Sequence, residues 1–298
     1  MGGPDKAEKV RASSSREAPD LVAFESVETQ VVSPAVMGNF RSRRNVRVRR
    51  RLRMAGGVVI AIGLWELVSV TQLVSSTALS SVSATAAAIG SNAGVLFSAV
   101  GQTLEAWAVG LAIATVAGVI MGALVGRSRI ADALTETLVR MMRPLPSLAL
   151  IPIAILVAGL GLKMTAGLVA FTSFWPIFIN TRYGVAQVER LLLETATTLG
   201  LRGLSLIRSV VLPAAAPLIA SGFQVAVGLA LVVTVSVELV GGTGGIGSYV
   251  LAAQQGNAVA NMYAGIVVGG FLGWVLNTGF AGLFRRLLPW ANQREGSE

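Results

Sequence analysis

The chain has 298 residues, 53% of them apolar and only 13% charged, with a mean hydropathy of +0.70 and a formal net charge of +9. Soluble domains carry about 25% charged residues, so this composition describes a polytopic membrane protein and excludes an ordinary soluble fold. The absence of cysteine and histidine also excludes thiol nucleophiles, disulfides, imidazole bases and Cys/His metal sites.

Residues 1–40 mix Ser, Glu, Asp, Lys and Pro without periodicity, which predicts a disordered cytoplasmic tail. Residues 41–53 form a basic juxtamembrane segment with eight arginines, placed directly before an apolar run. That order resembles a signal peptide, but the region before the apolar core is too long, so a retained anchor is expected. The same arginines suit anionic lipid head groups. Other basic residues group at 127–143, 182–208 and 285–294, while 72–102 and 239–262 carry no charge. With the N-terminus cytoplasmic, Lys163 is then the one basic residue left on the outer side, as the positive-inside rule requires. The excess of positive charge therefore reports topology in a cell membrane, and no nucleic-acid partner is expected.

About 20 apolar residues of helix cross a bilayer. On that measure six spans are expected, at 54–74, 103–126, 142–160, 164–183, 211–238 and 262–288, with both termini cytoplasmic. The predicted fold is all-α and membrane-embedded, with a transmembrane domain over 54–290, a cytoplasmic loop at 184–210 and a short tail at 291–298. Residues 75–99, rich in Ser, Ala, Thr and Gly, read as an interfacial helix on the outer side. Gly118, Gly122 and Gly126 recur every fourth residue and give one helix a bare face, for close packing or for sliding along a pathway. Pro144, Pro146, Pro152 and Pro176 lie at or inside spans three and four. Interior prolines break helices where a membrane protein lines a cavity, so Pro152 and Pro176 are candidate path residues.

Between spans four and five, Glu189 to Leu199 has helical spacing, with Arg190 one turn before Glu194. Gly200 suits the left-handed position that ends a helix. A second short helix is expected at 204–210, and Leu212-Pro213 opens the fifth span, where proline is harmless. The expected product is a helix–turn–helix unit lying flat on the cytoplasmic membrane surface, with Leu201, Leu204, Leu206 and Ile207 forming an apolar face.

Glu66 and Glu238 are acids inside or at the end of spans. A carboxylate there is costly and needs compensation, so both are candidates for the transport path, although Glu238 would simply be hydrated if span five ends at it. Asp132 and Glu136 lie one turn apart beside Arg129 and Arg140, which predicts a salt-bridged cytoplasmic face. Gly242-Thr-Gly-Gly-Ile-Gly matches G-x-G-x-x-G, but it follows a helix and lacks the strand of a dinucleotide fold.

The stretch from Glu194 to Pro213 resembles the EAA loop of ABC-transporter permeases, through Glu194, Ala196, Gly200, Val210 and Leu212-Pro213. Thr195 stands where that motif usually has alanine and Val210 where it usually has isoleucine. Trp65-Glu66, Arg143-Pro-Leu-Pro-Ser-Leu-Ala, Gly159-Leu-Gly, Phe174-Trp-Pro-Ile-Phe-Ile-Asn-Thr, Val237-Glu-Leu and Leu288-Pro-Trp extend the likeness over most of 54–290. They are similar to permeases of the nitrate, sulfonate and taurine group of binding-protein-dependent type I importers. Ala106 departs from them, since relatives often have a basic residue there.

The resemblance implies that Glu194, Ala196, Gly200, Leu212 and Pro213 form the unit that docks a separate ABC ATPase subunit. It further implies a permease homodimer and an extracytoplasmic solute-binding protein. No Walker-type G-x-x-x-x-G-K-[ST] occurs, so the chain itself needs no cofactor, and ATP and Mg belong to the ATPase. Two other readings use the same residues. An ion-coupled secondary transporter should show midplane acids and an inverted repeat, and an integral membrane enzyme or scaffold should show a clustered acid pair or nucleophile if it is catalytic.

Overall fold

The computed structural model describes residues 56–75, 77–142 and 146–290. The expected tails, the arginine cluster and Arg143-Pro144 lie outside these residues. The chain divides into two compact units, Met1–Ala61 and Ile62–Glu298. Of the first, only residues 56–61 are described, and they are helical.

All regular structure among the described residues is helical. In chain order the helices are α1 (Gly56–Val70), α2 (Val82–Ser91), α3 (Ala93–Gly126), α4 (Arg129–Met142), α5 (Ile151–Ala158), α6 (Leu162–Ala186), α7 (Arg190–Thr198), α8 (Gly203–Leu206), α9 (Leu212–Gly241), α10 (Gly245–Gln255) and α11 (Val259–Leu287). Four are long and apolar enough to cross a membrane: α3, α6, the continuous run Gly203–Gly241, and α11. They carry apolar residues outward as well as inward, including Val116, Ile120, Val232 and Trp274. A soluble helix would set polar residues there.

Three expected spans differ in form. The second begins at Ala93, so the segment expected to be one interfacial helix at 75–99 is α2 followed directly by the first turns of α3. The third, expected at 142–160 with helix-breaking prolines at or inside it, follows an 80° bend between Ile130–Met142 and Ser147–Ala158. Its helical part after the bend is a 3-10 turn at Ser147–Leu150 and the eight residues of α5. Pro146 caps the turn in an extended conformation, and Gly159 and Gly161 end the segment with φ of 70° and 127°. The third difference lies at the start of α9 and belongs to the hinge described below.

The core joins α3, α6 and α9 through Trp107, Leu111, Met164, Val169, Ile177, Val227 and Val237. Glycines set the closeness of α3 to α6. A Cβ on Gly110, Gly118, Gly122 or Gly126 would come within 3.0 Å of Val169, Ile177, Thr181 or the Arg182 backbone. The stripe at 118, 122 and 126 is thus a packing face against α6, not a free sliding surface.

Candidate functional site

Two glycine-containing turns sit at opposite ends of α9. At one end, α7 stops in a Schellman motif. The N–H of Leu201 donates to the carbonyl of Ala196 at 3.0 Å, and that of Gly200 to Thr197 at 3.0 Å. Gly200 adopts φ +87°, a conformation open to glycine and strained for residues with a Cβ. Ala196 is 5% exposed and packs with Val185 of α6, Leu206 of α8 and Val211 and Ala215 at the start of α9. Leu201 joins the same cluster, supplying the apolar contact that accompanies this cap. A larger side chain at 196 would have to push these elements apart.

Glu194 lies on the outside of α7 and pairs with Arg190 at 2.9 Å, the exposed pairing expected from the spacing. The hydroxyls of Thr197 and Thr198 both donate to the Glu194 carbonyl, at 2.8 and 3.0 Å. Leu199 and Leu204 flank the turn and are 77% and 78% exposed. Of the expected apolar face, Leu204 is presented outward, Leu206 is buried, and Leu201 and Ile207 are half-buried.

The second arm of the hinge corrects the expectation. It does not lie flat as a separate helix. It passes from α8 through a π-helical turn, Ile207–Val211, into α9, so that one helix runs from Gly203 to Gly241. Leu212 and Pro213 therefore sit inside this run. Pro213 has no N–H and its ring crowds the preceding turn, and the wider π turn just before it gives that turn room.

Behind the hinge, the side chain of Arg182 is only 5% exposed, with its Nε 2.6 Å from Asp132 Oδ1. The N–H is not directed at that oxygen, so this is a Coulombic pair more than a hydrogen bond. The salt-bridged face expected on α4 holds for Arg140 with Glu136, whereas Asp132 reaches across to α6.

At the other end of α9, Glu238 is 3% exposed, which overturns the reading that it is hydrated at a span end. Its Oε2 accepts from Thr103 Oγ1 and from the Gly247 N–H, both at 3.0 Å. Gly247 lies in the first turn of α10. The other free N–H groups there are also taken: Gly244 donates to Ser248 Oγ at 2.9 Å, Gly245 to Gln102 Oε1 at 2.8 Å, and Ile246 to Thr103 Oγ1 at 2.9 Å. A helix start leaves such donors unpaired and favours negative charge, and here the chain's own carboxylate supplies it. A Cβ on Gly245 would strike the Glu238 carboxylate, and one on Gly247 would strike the Val235 carbonyl. The glycines of the G-x-G-x-x-G match are accounted for by this closure.

Glu66 plays a similar part for α2. Its carboxylate accepts from the Val82 N–H and from Ser83 Oγ, while Trp65 Nε1 donates to the Ser80 carbonyl at 2.9 Å. Pro152 is exposed in the first turn of α5. Pro176 lies inside α6, where Asn180 Nδ2 donates to its carbonyl at 2.8 Å. The four candidate path residues are therefore not gathered into one site. Sequence reasoning missed Thr103, Gln102, Ser248 and Arg182, whose roles depend on residues far away along the chain or on neighbouring helices.

Comparison with known proteins agrees with this architecture. Residues 114–293 match the model of the binding-protein-dependent transport system inner membrane component family. SsuC of Bacillus subtilis, named for aliphatic sulfonates transport, is 31% identical over 68% of this chain and 74% of its own length. The bicarbonate transport system permease protein CmpB of Synechococcus elongatus is 32% identical over 60% and 65%. The nitrate import permease protein NrtB of Leptolyngbya laminosa is 29% identical over 65% and 70%. In structure, a chain of the MetNI methionine ABC transporter in an inward facing conformation superposes with a TM-score of 0.58 at 18% identity, covering 65% of this chain and 97% of that one. The chain belongs to the binding-protein-dependent transport system inner membrane component family, the multi-pass permeases of ABC importers.

Proposed function

We propose that this chain is the permease through which an ATP-driven importer passes a small oxyanion, of sulfonate, taurine or nitrate type. ATP and Mg would be held by a separate ABC ATPase that docks on the α7–α8 hinge, with both termini on the same cytoplasmic side. An extracytoplasmic binding protein would deliver the solute, and a second copy of the chain would complete the path. The relatives named for sulfonates, bicarbonate and nitrate support an oxyanion.

The observation that carries the coupling role is the hinge itself. Its interior is packed and capped, yet Leu199 and Leu204 point away from the molecule. Apolar residues at the tip of a polar turn suit a partner's cleft. A push on the hinge has a direct route inward, because α8 continues into α9 as one helix and Ala196 bears on Val185, Val211 and Ala215. Glu194 and Gly200 would then shape the docking surface, while Leu212 and Pro213 lie on the transmitting helix.

The test is uptake in vesicles containing this chain with its ATPase and binding protein. Leu199→Asp and Leu204→Asp together should abolish ATP-driven uptake while leaving the amount of inserted permease unchanged. Uptake unaffected by that pair would remove the docking role.

A further inference from the structure

The helix α4 is amphipathic and turns its apolar side away from the rest of the chain. Ile130, Leu134 and Met141 are 75%, 70% and 63% exposed, and at about 100° per residue they fall within about 40° of one another around the helix. Val139, on the opposite side, is buried. Asp132, Glu136 and Arg140 follow at one-turn intervals outside the apolar stripe. Asp132 meets Arg182 of α6, and Arg140 meets Glu136.

The place of α4 in the chain says what covers the stripe. Only Arg127 and Ser128 separate it from the end of α3, a helix long and apolar enough to cross a membrane, so α4 starts at the edge of the hydrocarbon. The pair of Asp132 with Arg182 puts it at the end of α6 that leads into the hinge. It cannot enter the hydrocarbon core, because charged side chains recur along its length and are costly there. The segment that follows, Ser147–Ala158, is bent 80° from it, and α5 within that segment is wholly apolar. Standing in water, α4 would expose a contiguous stripe of large apolar side chains, which soluble surfaces avoid.

We propose that α4 lies in the membrane surface on the hinge side, with Ile130, Leu134 and Met141 sunk into the acyl-chain boundary of the lipid and Glu136 and Arg140 among the head groups. An amphipathic helix of low net hydrophobicity binds a bilayer in this way. Arg127 at the junction is exposed and in no ion pair among the described residues, which suits the level of the lipid phosphates. The proposal gives a lipid partner to a segment expected only to form a salt-bridged face, and it does not depend on the importer reading.

The chain has no cysteine, so a spin label on one introduced thiol reports on one place. The full-length chain carrying Ile130→Cys, Leu134→Cys, Met141→Cys or Glu136→Cys would be placed in vesicles of phosphatidylcholine and phosphatidylglycerol, with and without its ATPase. Collisions of each label with oxygen, which concentrates in lipid, are compared with collisions with a water-soluble nickel chelate. The ratio should favour oxygen several-fold more at 130, 134 and 141 than at 136, with the three stripe labels at one depth, about 5–10 Å into the head-group and acyl boundary. Two stripe positions suffice if the third variant does not insert. Depths that change progressively from 130 to 141, toward the roughly 16 Å of helix between them, would make α4 part of a tilted span and overturn the proposal. So would chelate that reaches the stripe as readily as position 136, as for a helix standing in water. Stripe labels that neither reagent reaches, as under a second copy of the chain or the docked ATPase, would overturn it as well. The measurement uses neither ATP nor solute, so its failure leaves the importer reading intact.

Discussion

The two ends of α9 solve the same local problem in opposite ways. Each turns the chain with left-handed glycines, Gly200 and Gly203 at one end and Gly242, Gly244 and Gly245 at the other. At the Gly242–Gly247 turn Gly245, Ile246 and Gly247 are buried, and the first-turn donors are taken by Glu238, Thr103, Gln102 and Ser248. The Gly200 turn satisfies its backbone from within and leaves its largest apolar side chains outside. A turn that consumes its own polar groups and hides its surface serves rigidity. One that is rigid inside and apolar outside is suited to being grasped by another protein.

Substitutions can break this contrast, and the largest effect belongs to the closed end. Gly247→Ala drives a methyl group into the Val235 carbonyl and Glu238, and should cost about 3 kcal/mol as overpacking, seen as a lower unfolding temperature in detergent. Glu238→Ala leaves the Gly247 N–H and the Thr103 hydroxyl without their acceptor and should cost about 2–3 kcal/mol. Glu238→Gln keeps one acceptor oxygen and should cost less by the same measurement. Normal stability in Glu238→Ala would show that the carboxylate does not hold this end together.

Asp132→Asn removes the charge facing the buried Arg182. Breaking a fully buried pair costs about 3–5 kcal/mol, and the partial exposure of Asp132 should reduce this to about 1–3 kcal/mol. Hydrogen exchange confined to the α4 and α6 ends would locate the loss. At the open end, Leu199→Asp should change stability by less than about 0.5 kcal/mol while stopping uptake. Glu194→Ala has the smallest structural effect, since its exposed pair with Arg190 is worth at most about 0.5 kcal/mol. Any effect it has on uptake would therefore come from the docking surface.

The open end was legible in the sequence because its signals are local. Gly200 ends α7, Arg190 precedes Glu194 by one turn, and the cap joins residues five apart. The closed end was not, because Glu238 finds Thr103 across 135 residues of sequence and no spacing rule connects them. The reason the glycines of its G-x-G-x-x-G pattern are needed appears only once the carboxylate lies beneath them. Apolar content located the third span and its prolines marked a place for a break, but neither gives the 80° angle, since hydropathy is blind to the direction of the backbone. The continuity of α8 with α9 was hidden for a related reason. Leu212-Pro213 is a fair helix start by local rules, and no local signal announces the π turn through which the helix continues past it.

The account depends most on the α7–α8 hinge being the point where ATP hydrolysis acts. The direct measurement is uptake by vesicles holding this chain, its ATPase and its binding protein, with and without ATP inside, for wild type and Leu199→Asp. The account predicts ATP-dependent uptake that Leu199→Asp abolishes at equal permease content. Uptake that persists without ATP, or that proceeds equally in the variant, would contradict it.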